Sequence, residues 1–231
     1  MRFDQHIILV TGATRGIGKA CALALVKEGA HVLALGRTQS ALEKLDDDAA
    51  PLKGKITLIP FDLSAIDQIA NLCLSITQRF ERIDALLGNA GTFGALTPTA
   101  HTNIDEWVRI FTVNVTANLA LIKYCDPLLQ QSKGRAVFLT SKSAKTLRPF
   151  FSSYATSKLA LEAMVKIYAR ENEKTGVKIN LFDPKIVRTR MRAETFPGED
   201  PSNLPSPETL TPKILNMLSK DFNENGQIIK A

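Results

Sequence analysis

The sequence is short of the residues on which several protein classes depend. It has three cysteines in 231 residues (Cys21, Cys73 and Cys125), an odd number, widely spaced and without a C-x-x-C pair. A disulfide framework and a thiolate zinc cluster are both unsupported by that pattern. The three histidines, His6, His31 and His101, form no H-E-x-x-H pair, so no metal is expected. No apolar run approaches the ~20 residues that cross a bilayer. Residues 1–6 lead straight into an apolar strand, without the basic-then-apolar layout of a signal peptide. Acid is missing from two stretches. Residues 127–161 hold six basic side chains and no Asp or Glu, and 184–193 hold four more; the rest of the chain nets −4 against a total of +6. The basicity is local. A nucleic-acid binder would add a groove-reading element or stacking aromatics on that surface, and neither pattern is present. The expectation is a cytoplasmic protein with reduced thiols and no membrane or nucleic-acid partner.

What the sequence does have is 45% apolar residues, enough to fill a real core. Strand-like runs alternate with helix-like runs along nearly its whole length. Apolar β-rich segments fall near 6–11, 31–35, 55–61, 83–87, 135–140, 177–182 and 226–230. Helical patterns lie between them at about 16–28, 39–48, 65–80, 104–131, 153–174 and 208–219. Near-continuous apolar strands separated by amphipathic helices are what a parallel sheet covered on both faces requires. Right-handed crossovers then give a doubly wound α/β sheet of the Rossmann type, about seven strands in one domain. Five of the eleven prolines fall within residues 197–212, which reads as a loop. The region 190–220 is accordingly expected to form a lid over the substrate.

Thr11-Gly12-Ala13-Thr14-Arg15-Gly16-Ile17-Gly18 joins the first strand to the first helix. Glycines permit a tight turn and close backbone approach to a phosphate, and the helix N-terminus behind them supplies unpaired N–H groups. Lys19 does not make this a P-loop: five residues, not four, separate Gly12 from Gly18, and Ala20 stands where Ser or Thr is needed. Taken alone, the segment has a second reading, a glycine-rich turn without a ligand. The second strand's end narrows the choice. An NAD site wants an acidic side chain there, an NADP site an arginine. This chain offers no acid and does offer Arg37, with Arg15 able to approach the same phosphate. Solvated surface charge is the other reading of both arginines.

Three further segments add to the loop. Leu87-Gly88-Asn89-Ala90-Gly91 closes the fourth strand, Asn114 sits in the long helix after it, and Ser141 precedes Ser153-Tyr154-Ala155-Thr156-Ser157-Lys158. With Gly12, Thr14, Gly16, Ile17 and Gly18, these resemble the short-chain dehydrogenase/reductase superfamily in its basic single-domain form, from about residue 7 to 191. The tail, through Met191-Arg192-Ala193-Glu194-Thr195-Phe196-Pro197, resembles a bacterial subgroup of oxidoreductases.

The resemblance implies an NADP(H)-dependent oxidoreductase passing hydride between the nicotinamide and a carbonyl/alcohol substrate. Tyr154 would be general acid/base. Lys158 would lower its pKa and hold the nicotinamide ribose, Ser141 would hydrogen-bond the substrate oxygen, and Asn114 would order a relay water. Asp62 and Leu63 would approach the adenine, Asn89, Ala90 and Gly91 the adenosine side, and Pro184, Ile186 and Thr189 the nicotinamide. Spacing agrees with the pairing, since Tyr154 and Lys158 are i and i+4 and share a helix face. An ammonium ~4 Å from a phenol, at an effective dielectric of ~20, is worth up to ~3 pK units before desolvation. Singly, each residue has a bland reading: a chance Tyr–Lys pair, a turn serine, a satisfied buried asparagine. A cofactor-binding sensor or scaffold with little turnover is the rival from another class.

Two points stand apart. The family usually has Pro-Gly after the sixth strand, and here it is Pro184-Lys185. The two basic segments suggest an electropositive mouth recruiting an anionic carbonyl compound, phosphorylated or linked to coenzyme A; solvated charges are the alternative. Relatives pair through the helices carrying Asn114 and Tyr154, so a homodimer or homotetramer is expected. Asp84 is read as structural and the cysteines as core thiols.

Overall fold

Seven short apolar segments pair in register and all in parallel. The computed structural model describes all 231 residues. Its strands are β1 (Ile7–Thr11), β2 (His31–Gly36), β3 (Lys55–Pro60), β4 (Ala85–Gly88), β5 (Arg135–Leu139), β6 (Lys178–Asp183) and β7 (Ile228–Lys230), ordered β3-β2-β1-β4-β5-β6-β7. Pro60 is tolerated because it ends β3, an edge strand with a partner on one side only. β4 and β5 are buried at every position, as strands covered on both faces must be.

Alternate residues of each strand feed two cores. Ile8, Val10, Val32 and Ala34 pack under α1 (Gly16–Lys27), α2 (Gln39–Ala49) and α9 (Thr211–Leu218). Leu9, Leu33, Leu86 and Phe138 pack under α3 (Ile69–Arg79), α5 (Ala117–Ser132) and α7 (Ser152–Glu171). Fully burying one such side chain is worth roughly 1.5–3 kcal/mol, so neither layer can be lost locally. Buried Asp84 ties the layers at the strand entrances: it accepts from the Ile7 N–H at 2.9 Å and pairs with Arg82 at 3.1 Å. Cys73 on α3 and Cys125 on α5 are buried free thiols 3.6 Å apart. No helix is long and apolar enough to cross a membrane.

The structure differs from the sequence reading in two places. The single helix expected over 104–131 is α4 (Ile104–Phe111), a π-helical turn (Thr112–Thr116) and α5. One extra residue per turn there points Asn114 inward, where it is fully buried. The expected lid over 190–220 also divides. A short α8 (Arg190–Thr195) and the proline-rich turns lie at the cleft, whereas Ile214, Leu215, Met217 and Leu218 of α9 are core. Proline at the second position of α9 begins that helix rather than breaking it.

Candidate active site

All strands end at one edge of the sheet, and β1 lies where the crossovers reverse direction between β2 and β4. Doubly wound sheets bind ligands at that switch point. Here it opens into a cleft of about 1050 Å³. Of the residues expected to hold a cofactor, Gly12, Thr14, Arg15, Gly16, Ile17, Arg37, Asp62, Leu63, Asn89, Ala90, Gly91, Pro184, Ile186 and Thr189 line it, as do Ser141, Tyr154 and Lys158. Gly18 and Asn114 do not. Both stand behind the wall and act through others.

Gly18 closes the glycine loop on itself: a Cβ there would lie 2.2 Å from the Gly12 carbonyl oxygen and 2.5 Å from Asn89 Nδ2. Gly12 and Gly16 hold φ of +64° and +55°, so the loop needs glycine for its conformation too. Thr11 anchors it from below and was not anticipated. Its Oγ1 accepts from the Asn89 and Ala90 N–H groups, each at 3.0 Å, while Asn89 Nδ2 donates to the Thr11 carbonyl at 2.9 Å. The only signal for Thr11 was a hydroxyl residue at the strand end before glycine. No side chain caps α1 and no acid lies in its first turn, which leaves its N–H groups free to face an anion. Arg37 is exposed at the end of β2, 3.9 Å from Asp62. Burial tends to raise the Asp62 carboxyl, but donation from Ser64 and the charge of Arg37 outweigh it and hold the group below the usual range. The uncapped helix and the glycine cradle suit the phosphates of a dinucleotide.

Opposite the loop, successive turns of α7 meet the end of β5. Tyr154 and Ser141 line the same stretch of the cleft, and Lys158 Nζ donates to the Leu139 carbonyl at 2.8 Å. Thr140 donates to buried Glu162 at 2.7 Å. The ammonium lies 5.9 Å from the Tyr154 ring centre. Burial pushes Tyr154 up to about 12, against the pull of Ser141 and with a further push from Asp183. Burial also drives Lys158 down to about 8, with Glu162 opposing. The Asn114 side chain ties two segments together: Oδ1 accepts from the Thr92 N–H at 2.9 Å, and Nδ2 donates to the Thr92 carbonyl at 2.9 Å and to Ser157 Oγ at 3.0 Å.

Lys185 adopts φ +56°, the left-handed conformation that glycine favours, with its N–H donating to Asp183 Oδ1 at 3.1 Å. The departure from Pro-Gly changes the side chain but keeps the turn. Four of the basic residues expected at the mouth, Lys185, Arg188, Arg190 and Arg192, line the cleft. Arg190 pairs with Glu194 at 2.6 Å and Arg192 with Glu199 at 2.6 Å, while Lys142, Lys145 and Arg148 do not line the cleft. Acids that follow the basic run in sequence fold back onto it.

These features fix the family. The family model for short chain dehydrogenase matches residues 6–200. The chain belongs to the short-chain dehydrogenase family. It is 34% identical over 225 residues to an uncharacterized oxidoreductase, YciK, of Escherichia coli K12, covering 94% of this chain and 88% of that protein. A short chain dehydrogenase of Shigella flexneri 2a solved with NADP superposes with a TM-score of 0.93 at 30% identity, covering 99% of this chain and 98% of the other. One from Escherichia coli CFT073 solved with NADPH gives 0.92 at 30% identity, covering 99% and 97%. Membership of the family makes the chain an oxidoreductase that uses a nicotinamide cofactor and acts on small molecules.

Proposed function

We propose that this chain is an NADP(H)-dependent reductase of carbonyl compounds, with Tyr154 as the proton donor. The observation that carries the reading is the convergence of Tyr154, Ser141 and Lys158 on one cleft wall, opposite the uncapped glycine loop. Arg37, with Arg15, supports the phosphorylated cofactor by offering cations where an acid would select NAD. Two similar dehydrogenases solved with NADP and NADPH agree with that choice.

When bound, NADP(H) supplies the hydride. The chain's residues then manage one proton and one charge. Ser141 Oγ donates to the substrate carbonyl and fixes it beside the phenol. A phenol with a pKa near 12 keeps its proton across neutral pH, the state needed to protonate the alkoxide that forms as the carbon is reduced. The O–H bond of Tyr154 breaks, the alcohol O–H forms, and Tyr154 is left as a phenolate. Lys158, mostly charged below pH 8, stabilises that phenolate and donates to the cofactor ribose. Glu162 and the Leu139 carbonyl keep the ammonium at its post. Asn114 holds Thr92 and Ser157, and through them the two walls flanking Lys158.

The test is oxidation of NADPH and of NADH across a carbonyl panel by the wild type and by Tyr154→Phe. The variant is expected to bind NADPH unchanged while turnover falls by about 10²–10⁴. Equal turnover in both proteins would remove Tyr154 from the chemistry, and a preference for NADH would remove Arg37 from cofactor selection.

A further inference from the structure

Three of the eleven phenylalanines leave the core and gather beside Tyr154. Phe3, Phe138 and Phe182 are fully buried in the two packed layers, whereas Phe93, Phe151 and Phe196 are half-buried, belong to neither layer and line the cleft. They come from separate elements: the loop after β4, the start of α7 and the segment after α8. The rings form a continuous path from the phenol outward. Phe93 lies 4.5 Å from Tyr154 between centroids, Phe151 lies edge-on to Phe93 at 5.4 Å, and Phe196 lies 6.3 Å from Phe151. Arg192 covers Phe196 at 3.7 Å, and its charge is answered by both carboxylate oxygens of Glu199, at 2.6 and 2.8 Å.

We propose that this aromatic wall is the substrate subsite and that it takes a neutral carbonyl compound whose non-reacting substituent is a flat aryl group. The inference rests on the hydride-transfer reading only for which end of the molecule reacts. Apolar faces exposed in a cleft are removed from water by an apolar ligand. Rings tilted and edge-on to one another, as these are, favour an aromatic guest over a saturated one of equal size through their quadrupoles. Arg192 is spent on Glu199 and Phe196, so it offers no free charge to an anionic substituent. Phe196 follows the α8 segment, anchored by the Arg192–Glu199 pair, and is the specificity-determining residue. It adds the outer end of the wall without touching either core layer.

Two ligands of matched size, 2-naphthalenemethanol and decahydro-2-naphthalenemethanol, are titrated by ligand-observed NMR against the protein saturated with NADPH, with which an alcohol cannot exchange hydride. The wild type is expected to bind the aromatic alcohol about tenfold more tightly. Phe196→Leu, which keeps apolar bulk without a ring, and Phe196→Ala are each expected to lose most of that preference; Phe151→Leu repeats the test nearer the phenol. Equal affinities in the wild type, no binding of either alcohol, or a preference that survives both Phe196 variants would overturn the subsite. Reduction of 2-naphthaldehyde with NADPH separates the two readings. Binding with aryl preference but no reduction would leave the subsite and overturn hydride transfer. Reduction at equal rates for the aromatic and saturated aldehydes, with equal affinities for the alcohols, would do the reverse.

Discussion

Thr140 donates its hydroxyl proton to Oε1 of Glu162 at 2.7 Å, one turn of α7 beyond Lys158, with both side chains buried. A buried carboxylate there attracts the Lys158 ammonium and opposes the desolvation that lowers its pKa. Glu162→Gln keeps the shape and a hydrogen bond to Thr140 but removes the charge. The Lys158 pKa is then expected to fall further below about 8, and the alkaline limb of kcat against pH to move toward acid. The variant should lose more activity at pH 8 than at pH 6. A pH profile parallel to that of the wild type would reduce Glu162 to packing.

Stability should carry the mark of the same lysine. Its pKa is about 8 folded and 10.5 as a free side chain, so folding disfavours the charged form. The penalty is complete below pH 8, where both states are protonated, and is relieved as pH rises from 8 toward 10.5. By the one-unit rule it amounts to ~3 kcal/mol. Above pH 10 the raised Tyr154 works the other way, because the unfolded chain then loses a phenol proton that the folded chain keeps. Urea midpoints are therefore expected to rise between pH 7 and 9.5. Lys158→Met, inactive in turnover, should be more stable at pH 7 and lack that rise. An equal rise in both proteins would assign it elsewhere.

A third expectation concerns the turn after β6. Lys185 holds φ +56° without the freedom of glycine, which costs an L-residue roughly 1–2 kcal/mol. Lys185→Gly should relieve most of that, less the entropy that glycine adds to the unfolded chain, for a net gain of about 1 kcal/mol. The thermal midpoint should then rise by about 2–4 °C. Calorimetry decides it, and a lower midpoint would mean that the lysine side chain contributes more than the strain removes.

The sheet was legible because each strand is an almost unbroken apolar run, and the Tyr154–Lys158 face because i,i+4 spacing is a property of any helix. Other features left no such trace. The π turn at Asn114 shifts the direction of the side chains after it without changing composition, so it left no mark of its own in a run already read as helix. The helix expected over 208–219 is there as Thr211–Leu218, with Pro212 in its first turn, but its sequence did not show that Ile214 and Leu218 would be core rather than lid. Phe93, Phe151 and Phe196 are far apart in sequence and ordinary one at a time; only the fold makes a wall of them.

The position of β1 inside the sheet bears on how the protein is made. A ribosome delivers β1, β2 and β3 first, and these can assemble as one half with β1 still unpaired along its far side. β4 covers that side only after the next crossover has emerged, and β5, β6 and β7 then extend the sheet in the opposite direction. Every pairing joins distant segments, which slows folding. The half-made chain thus exposes its most apolar strand as an open edge, the stage at which a nascent protein most needs shielding from its neighbours.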